Sequence, residues 1–283
     1  MTTPAPGSAT ATAPASRSTF FAWTLWDVGN ASFNAIMTTF VFTVYLTSSS
    51  FGSTEHTSAV LSAGLTIAGF FIALLAPLSG QRADVTGRRG LWLTANSLLL
   101  VLLMALCFFV APSPDYLIWG VALLALGNLV NEFAVVNYNS ILPTISSRDT
   151  IGKMSGTGWA AGYFGGIVAL LLVLVGFISP GLLGITEDGA LNIRAVALFS
   201  AAWALVFSLP LILKVRSLPQ AVRPDAPPYR DSCLLQTAFR HRRQALPACP
   251  HDPLLPGVVR CFPRRPQRYL HLRRHPRGGF LWL

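Results

Sequence analysis

The stretch GQRADVTGRRG, residues 80–90, lies between two long apolar runs and decides the expected architecture. It carries three Arg and one Asp, whereas the flanking runs, residues 58–79 and 91–111, contain no charged side chain. A run of about 20 apolar residues is long enough to cross a hydrocarbon core of about 30 Å. We therefore expect residues 80–90 to form a loop outside the lipid, and the excess of Arg predicts that this side is cytoplasmic.

The composition of the 283 residues also indicates a membrane protein. Hydrophobic residues make up 52% of the chain and charged residues only 11%, which is too little charge to cover a globular surface. The formal charge of +10 is unevenly spread, because residues 1–229 hold ten Lys or Arg against nine Asp or Glu, and residues 230–283 hold eleven against two. The nearly neutral amino-terminal part predicts no specific nucleic-acid partner.

Six apolar segments are predicted to span the membrane: residues 19–47, 58–79, 91–111, 116–141, 156–178 and 195–213. Residues 1–18 are predicted to be a disordered leader and residues 19–216 a six-helix membrane unit. Trp23, Trp26 and Tyr45 are predicted to be interfacial aromatics of the first segment. With both termini in the cytoplasm, nine Lys or Arg lie inside and Arg194 alone lies outside, which predicts an integral protein of a bacterial inner membrane.

Residues 217–283 have a different composition and are predicted to be a disordered basic tail. From Arg230 onward the tail contains eleven Arg, no Lys and seven Pro, and it offers no seventh span. The favoured interpretation is a reading frame that has shifted or been truncated, and a genuine basic tail is the alternative. Its Cys and His spacings match no usual zinc site, so no metal and no cofactor are expected.

The charged stretch and the six segments together resemble the amino-terminal half of a major facilitator superfamily transporter. The residues that match the superfamily's loop motif are Gly80, Asp84, Gly87, Arg88 and Arg89. Three stretches resemble the branch related to the autophagy-associated vacuolar amino-acid effluxer: AWTLWDVGNASFN at 22–34, VVNYNSILPTI at 135–145 and GKMSGTGWAAGYFGG at 152–166. The resemblance covers about residues 19–225 and ends where the tail begins.

This resemblance implies an all-α integral membrane fold of twelve helices, of which the chain would supply one half, built from two three-helix inverted repeats. It implies a permease that moves a small solute, amino acids in that branch, by alternating access, driven by protons or by the solute's own gradient. Such a permease is not an enzyme. Asp84 would be a gate residue whose partner surface lies in the second half. The half alone is expected to be inactive unless two copies associate.

The alternative function is a nontransporting six-helix anchor whose basic tail binds anionic lipid or a protein partner.

Polar side chains on two of the segments are the candidate solute and ion path. Asp27, Asn30 and Asn34 are spaced i, i+3, i+7 in the first segment. The fourth segment has the spacing i, i+3, i+4 at its own polar residues, Asn128, Asn131 and Glu132. Each set lies on one helix face, and the two faces are expected to meet. The superfamily resemblance implies that these two segments line the central cavity.

Asp27 and Glu132 are the leading functional candidates, because ionisable groups at membrane depth are costly and usually mark a substrate or ion path. Glu132 lies deeper and is expected to load and release a proton as access alternates. The alternative is that neighbouring Asn side chains satisfy both acids, which then only hold the two helices together.

The fifth segment offers an aromatic pair and a glycine stripe. Trp159 and Tyr163 lie one turn apart and could stack on a solute, although interfacial aromatics are the commoner use of such residues. Gly158, Gly162 and Gly166 form two overlapping small-xxx-small steps, which predict that another helix approaches closely.

Overall fold

The computed structural model describes residues 17–86, 88–147, 149–178 and 184–215. Within these ranges the chain is helical and has no strand. Nearly all of the predicted leader, at residues 1–16, and the whole of the predicted tail, at residues 217–283, lie outside the described residues.

The first predicted span is helical but changes pitch along its length. Helix α1, Arg17–Ser32, continues into a π-helix, Phe33–Phe40, and then into a short helix α2, Phe42–Leu46. At the start of the π-helix the Asn34 carbonyl oxygen accepts hydrogen bonds from the Thr38 and Thr39 hydroxyls, each 2.7 Å long. Hydroxyls that bond to the preceding turn compete with the regular helical ladder and bend helices. The widened turn therefore has a local cause in the sequence.

The remaining helices are longer and more regular. They are α3, Thr54–Thr86; α4, Arg89–Leu106; α5, Leu117–Ile145; α6, Ile151–Val173; and α7, Leu191–Val215. Short 3-10 turns lie at Cys107–Phe109, Pro114–Tyr116 and Asp188–Ala190, and a π turn at Leu174–Ile178 extends α6. By length and composition, five helices of the described residues can cross a membrane: Thr54–Gly80, Arg89–Phe109, Pro114–Ile145, Ile151–Ile178 and Asp188–Val215.

The expected loop at residues 80–90 is wrong as a backbone prediction. Helix α3 continues to Thr86 and α4 begins at Arg89, so only residues 87 and 88 separate the two helices. Gln, Arg and Ala at positions 81–83 are good helix formers, so the helix continues through them. The 33 residues of α3 extend about 50 Å, so its charged end reaches beyond a hydrocarbon core of about 30 Å.

Two other helix bounds also differ from the prediction. Helix α5 passes through Pro143 and ends at Ile145 rather than at residue 141. Pro143 lacks the N–H that would bond to the carbonyl four residues before it, which weakens the last turn of α5, and the helix ends two residues later. Helix α6 begins at Ile151, five residues before the predicted start, because Thr150 and Ser147 form a hydrogen-bonded turn just ahead of it.

The helix termini gather at two ends of the bundle. At one end, the Lys214 ammonium donates to the Ser18 carbonyl at 2.9 Å, and an Arg89 guanidinium N–H donates to the Ser140 carbonyl at 3.1 Å. At the other end, the Tyr45 hydroxyl donates to the Val110 carbonyl at 2.9 Å. Successive helices therefore run in alternating directions, with α1 packed on α6 and α7, and α5 packed on α3 and α4.

The outer surface of the bundle is apolar. Large side chains such as Phe70, Ile118, Phe164 and Leu213 are each about two-thirds exposed or more. Apolar patches of this extent are uncommon on water-soluble proteins. Lipid is the solvent that suits this surface.

Candidate functional site

A cavity of about 520 Å³ opens between α1 with its π-helix, α5 and α6. Its wall is formed by Asp27, Asn30, Ala31, Asn34, Ala35, Thr39, Phe40, Asn131, Glu132, Val135, Trp159, Gly162, Tyr163, Gly166, Ile167 and Leu170. The α1 residues recur at the spacing of an α-helix, whereas those from residue 34 onward recur five residues apart, as a π-helix requires. The change of pitch therefore keeps the first segment facing the cavity.

Seven of the eight residues predicted for the solute and ion path line this cavity: Asp27, Asn30, Asn34, Asn131, Glu132, Trp159 and Tyr163. The polar faces of the first and fourth segments thus border the same space. Asn128 does not line it. It shares the face of Asn131 and Glu132 but lies about one turn nearer the start of α5, beyond the end of the cavity. Whether these residues carry solute or protons stays a prediction.

Asp27 and Glu132 each contribute a carboxyl group to the cavity wall. Asp27 and Glu132 are each half-buried, and within the described ranges no hydrogen bond or ion pair joins either one to another side chain. The alternative that nearby Asn side chains satisfy both acids gains no support from this geometry.

Gly162 makes room for the Asp27 carboxyl. A Cβ atom at Gly162 would lie 2.9 Å from Asp27 Oδ2 and 3.0 Å from its Cγ. One turn earlier on α6, a Cβ atom at Gly158 would lie 2.5 Å from the Trp23 ring and 3.4 Å from the Tyr138 hydroxyl. The bare surface of α6 therefore receives side chains from both α1 and α5.

The glycine stripe packs against α1, as its spacing predicts. The closest approach is at Gly165, where a Cβ atom would lie 2.5 Å from Val28 Cγ1, while at Gly166 it would make ordinary contact with Ala31. The predicted stripe of Gly158, Gly162 and Gly166 does not include Gly165. Close helix approach in membranes depends on such small residues.

An aromatic stack holds α1 against α5 beside the cavity. Tyr138 lies between the rings of Trp23 and Trp26, with centroids 4.4 and 4.3 Å apart. The Trp23 indole N–H donates to the Tyr138 carbonyl at 3.3 Å, and the Trp26 N–H donates to the Ser97 hydroxyl at 2.9 Å. Trp23, Trp26 and Tyr45 are almost fully buried, so their prediction as interfacial aromatics is wrong. Their partners come from distant segments, and local sequence does not reveal them.

Trp159 and Tyr163 border the open side of the cavity. They are 63% and 68% exposed, and their ring centroids lie 6.0 Å apart in an edge-to-face arrangement. Both rings belong to the cavity wall and are mostly exposed in the described ranges. Ring surface is therefore available to a molecule in the cavity.

Asn30 and Asn131 are the buried polar side chains of the wall, and Asn131 is the more deeply buried. Its side chain is 2% exposed, and its Oδ1 atom has no hydrogen-bond partner among the described residues. A buried amide oxygen without a partner costs free energy unless a ligand or water donates to it.

The residues of the loop motif lie at the end of the bundle where α3 meets α4. Gly80 lies against α5, since a Cβ atom there would be 3.2 Å from Val136. Arg88 is exposed, and Arg89 binds the Ser140 carbonyl on α5. Asp84 lies on the last turns of α3, and Gly87 falls outside the described residues. The motif therefore ties the α3–α4 connection to α5, and the gate role of Asp84 stays a prediction.

Comparison with curated proteins finds a distant transporter relative. The chain is similar to YxiO, an uncharacterized MFS-type transporter of Bacillus subtilis (strain 168). Identity is 27% over 208 residues, which cover 68% of this chain and 45% of the relative, so the chain spans less than half of that relative's length. No family model and no solved structure matches. The apolar helices of the described ranges indicate an all-helical integral membrane protein, which agrees with this similarity.

Proposed function

We propose that this chain is a six-helix half of a facilitator-type permease, which moves a small solute across the membrane by alternating access. The observation that carries the proposal is the cavity between α1, α5 and α6, whose wall combines two carboxyl groups, three amides and an exposed aromatic pair. Intramembrane polar groups that face a cavity are typical of solute and ion paths. The distant transporter relative supports the same class of function, which is not enzymatic.

The membrane arrangement that we propose has six spans. The helical run from Arg17 to Leu46 supplies the first span. It is not one of the five long apolar helices, because the π-helix interrupts it. Among the basic side chains described, Arg17, Arg88, Arg89, Lys153 and Lys214 lie at one end of the bundle and Arg194 at the other. That asymmetry supports the proposal that both termini of the bundle lie in the cytoplasm of a bacterial cell.

Glu132 and Asp27 are the proposed proton carriers. Both border the cavity and lack a basic partner among the described residues, so each carboxyl is available to take a proton from the aqueous path. Transport is then driven by the proton gradient or, if the carboxyls serve only as a binding site, by the gradient of the solute itself.

The test is Glu132→Gln in a full-length relative that has the same α5 motif. We expect proton-coupled uptake or efflux to fall to the background of empty vesicles, while the protein remains folded, because the amide keeps the shape of the side chain and loses the titration. Glu55→Gln, at the exposed start of α3, is the matched control and should transport normally. Unchanged coupling in the Glu132→Gln protein would exclude the proton role.

The 283-residue chain is proposed to be inactive as a single copy, because one half leaves the cavity without its opposite wall. The relative is more than twice as long as the matched region, which supports a second half elsewhere. We expect no solute flux from the purified chain in liposomes unless two copies associate. Six further apolar segments encoded in another frame downstream of the Arg230 codon would support truncation, and their absence would oppose it.

Amino acids are the first solutes to test, on the strength of the branch resemblance of residues 22–34, 135–145 and 152–166.

A further inference from the structure

We infer that the cavity wall formed by the described residues binds the ammonium group of a cationic solute and provides no counter-charge for a carboxylate. This inference rests on the proposed function, since it concerns the solute of the same site. It narrows the solute class to amines. Amino-acid zwitterions are expected to bind less tightly, because their carboxylate finds no counter-charge in this wall.

The charges of the wall are all of one sign. Asp27 and Glu132 are the ionisable residues of the wall, and no Lys, Arg or His among the described residues borders the cavity. The basic side chains of the described ranges lie at the two ends of the bundle. A cleft lined by one sign of charge and walled by apolar material concentrates ions of the opposite sign. Cations are therefore favoured there over anions.

Asn131 adds an acceptor that calls for an N–H donor. Its Oδ1 is buried in the wall and lacks a partner within the part of the chain that the structure describes, whereas the carboxyl groups of Asp27 and Glu132 accept hydrogen bonds when ionised. A primary ammonium group carries three N–H donors and no acceptor. An ammonium group therefore suits the acceptors that this wall offers.

The aromatic pair suits the remainder of such a solute. Trp159 and Tyr163 present open ring surface at the cavity mouth, where it can contact an apolar group or stabilise a cation through the face of the ring. A cavity of about 520 Å³ is within the range of small-molecule sites and accommodates a single ring with a short chain.

The experiment compares ligands that share a ring and differ in their charged groups. Phenethylamine, protonated at neutral pH, is the probe, and phenylalanine is the same molecule with an added carboxylate. The alcohol 2-phenylethanol and the anion 3-phenylpropanoate complete the set. Equilibrium binding of labelled phenethylamine to the full 283-residue chain in lipid nanodiscs, with the other three as competitors, gives the order of affinities.

We expect phenethylamine to bind at least about tenfold more tightly than phenylalanine or the alcohol, and the anion not to compete. Asp27→Asn and Glu132→Gln should each weaken phenethylamine binding by about tenfold. Asn131→Ala should weaken it severalfold, whereas Asn128→Ala, one turn away and outside the cavity, should leave it unchanged. A melting temperature within the range of the parent protein identifies the variants that are folded.

The outcomes separate the inference from the proposed function. If phenylalanine or the anion binds as tightly as phenethylamine, a solute site exists and the ammonium preference is wrong. If phenethylamine binds but neither acid substitution weakens it, the site lies elsewhere and the inference also fails. If none of the four ligands binds, the inference fails, whereas the proposed function, which assigns the opposite wall to a second half, is decided by the Glu132→Gln transport measurement in the full-length relative.

Discussion

Tyr138 is the residue on which α1 and α5 meet, and its ring and its hydroxyl have opposite consequences for stability. The ring is stacked between Trp23 and Trp26, whereas the hydroxyl is buried without a hydrogen-bond partner among the described residues. We expect Tyr138→Phe to keep the free energy of unfolding or raise it by up to about 1 kcal/mol. Tyr138→Ala removes the stacked ring and should lower it by about 3 kcal/mol.

Thermal or denaturant unfolding of the three proteins in the same detergent provides the measurement. A Tyr138→Phe protein that is much less stable than the parent would show that the hydroxyl has a partner in the membrane. Equal losses in both variants would contradict the expectation, because they would mean that the stacked ring contributes nothing beyond the hydroxyl.

Individual residues of the cavity were predictable where the helix is regular. The spacing of Asp27, Asn30 and Asn34 assumes the α-helical period, and it holds up to the point where the π-helix begins. Beyond Asn34, the same period points to Thr38, whereas the structure places Thr39 and Phe40 in the wall. A change of pitch depends on hydroxyl and backbone bonds that hydrophobic periodicity does not report.

The packing of α1 against α6 positions Asp27, and this packing depends on glycine. A Cβ atom at Gly165 would lie 2.5 Å from Val28 Cγ1 and 3.1 Å from its Cα, so the two helices would have to separate. Gly165→Ala should therefore destabilise the protein by about 1 to 3 kcal/mol. Gly156→Ala, on the same helix with open space around it, should be neutral or stabilising by about 0.5 to 1 kcal/mol.

Melting temperatures of these two variants, measured side by side, check the helix contact. Equal behaviour of Gly165→Ala and Gly156→Ala would mean that α1 does not approach α6 as closely as the structure shows.

At the level of whole elements, apolar length predicted the helices well and their ends poorly. Hydrophobic runs located all five long apolar helices, because lipid requires a backbone whose hydrogen bonds are satisfied internally. Charge did not mark the end of α3, since a helix continues into water when its residues favour helix. The end of α5 beyond Pro143 and the early start of α6 depend on local turn geometry, which hydropathy does not contain.

For the molecule as a whole, the orientation in the membrane is the prediction that most directly tests the six-span arrangement. Three helices, α3, α4 and α5, lie between Thr54 and Ser147, so the two residues should face opposite sides of the membrane. Both side chains are exposed at helix ends, and the concentration of Arg and Lys near residue 147 predicts that its side is cytoplasmic. We expect an impermeant maleimide to label Thr54→Cys in intact cells and Ser147→Cys only after lysis.

The background for this measurement is a chain in which Cys233, Cys249 and Cys261 are replaced by Ser, while Cys107 is buried and should not react. The opposite labelling pattern would reverse the orientation and place both ends of the bundle outside. Labelling of both positions in intact cells would mean that one of α3, α4 and α5 does not cross the membrane. In that case the alternation of helix ends would no longer support a facilitator half, because that architecture requires every helix to cross.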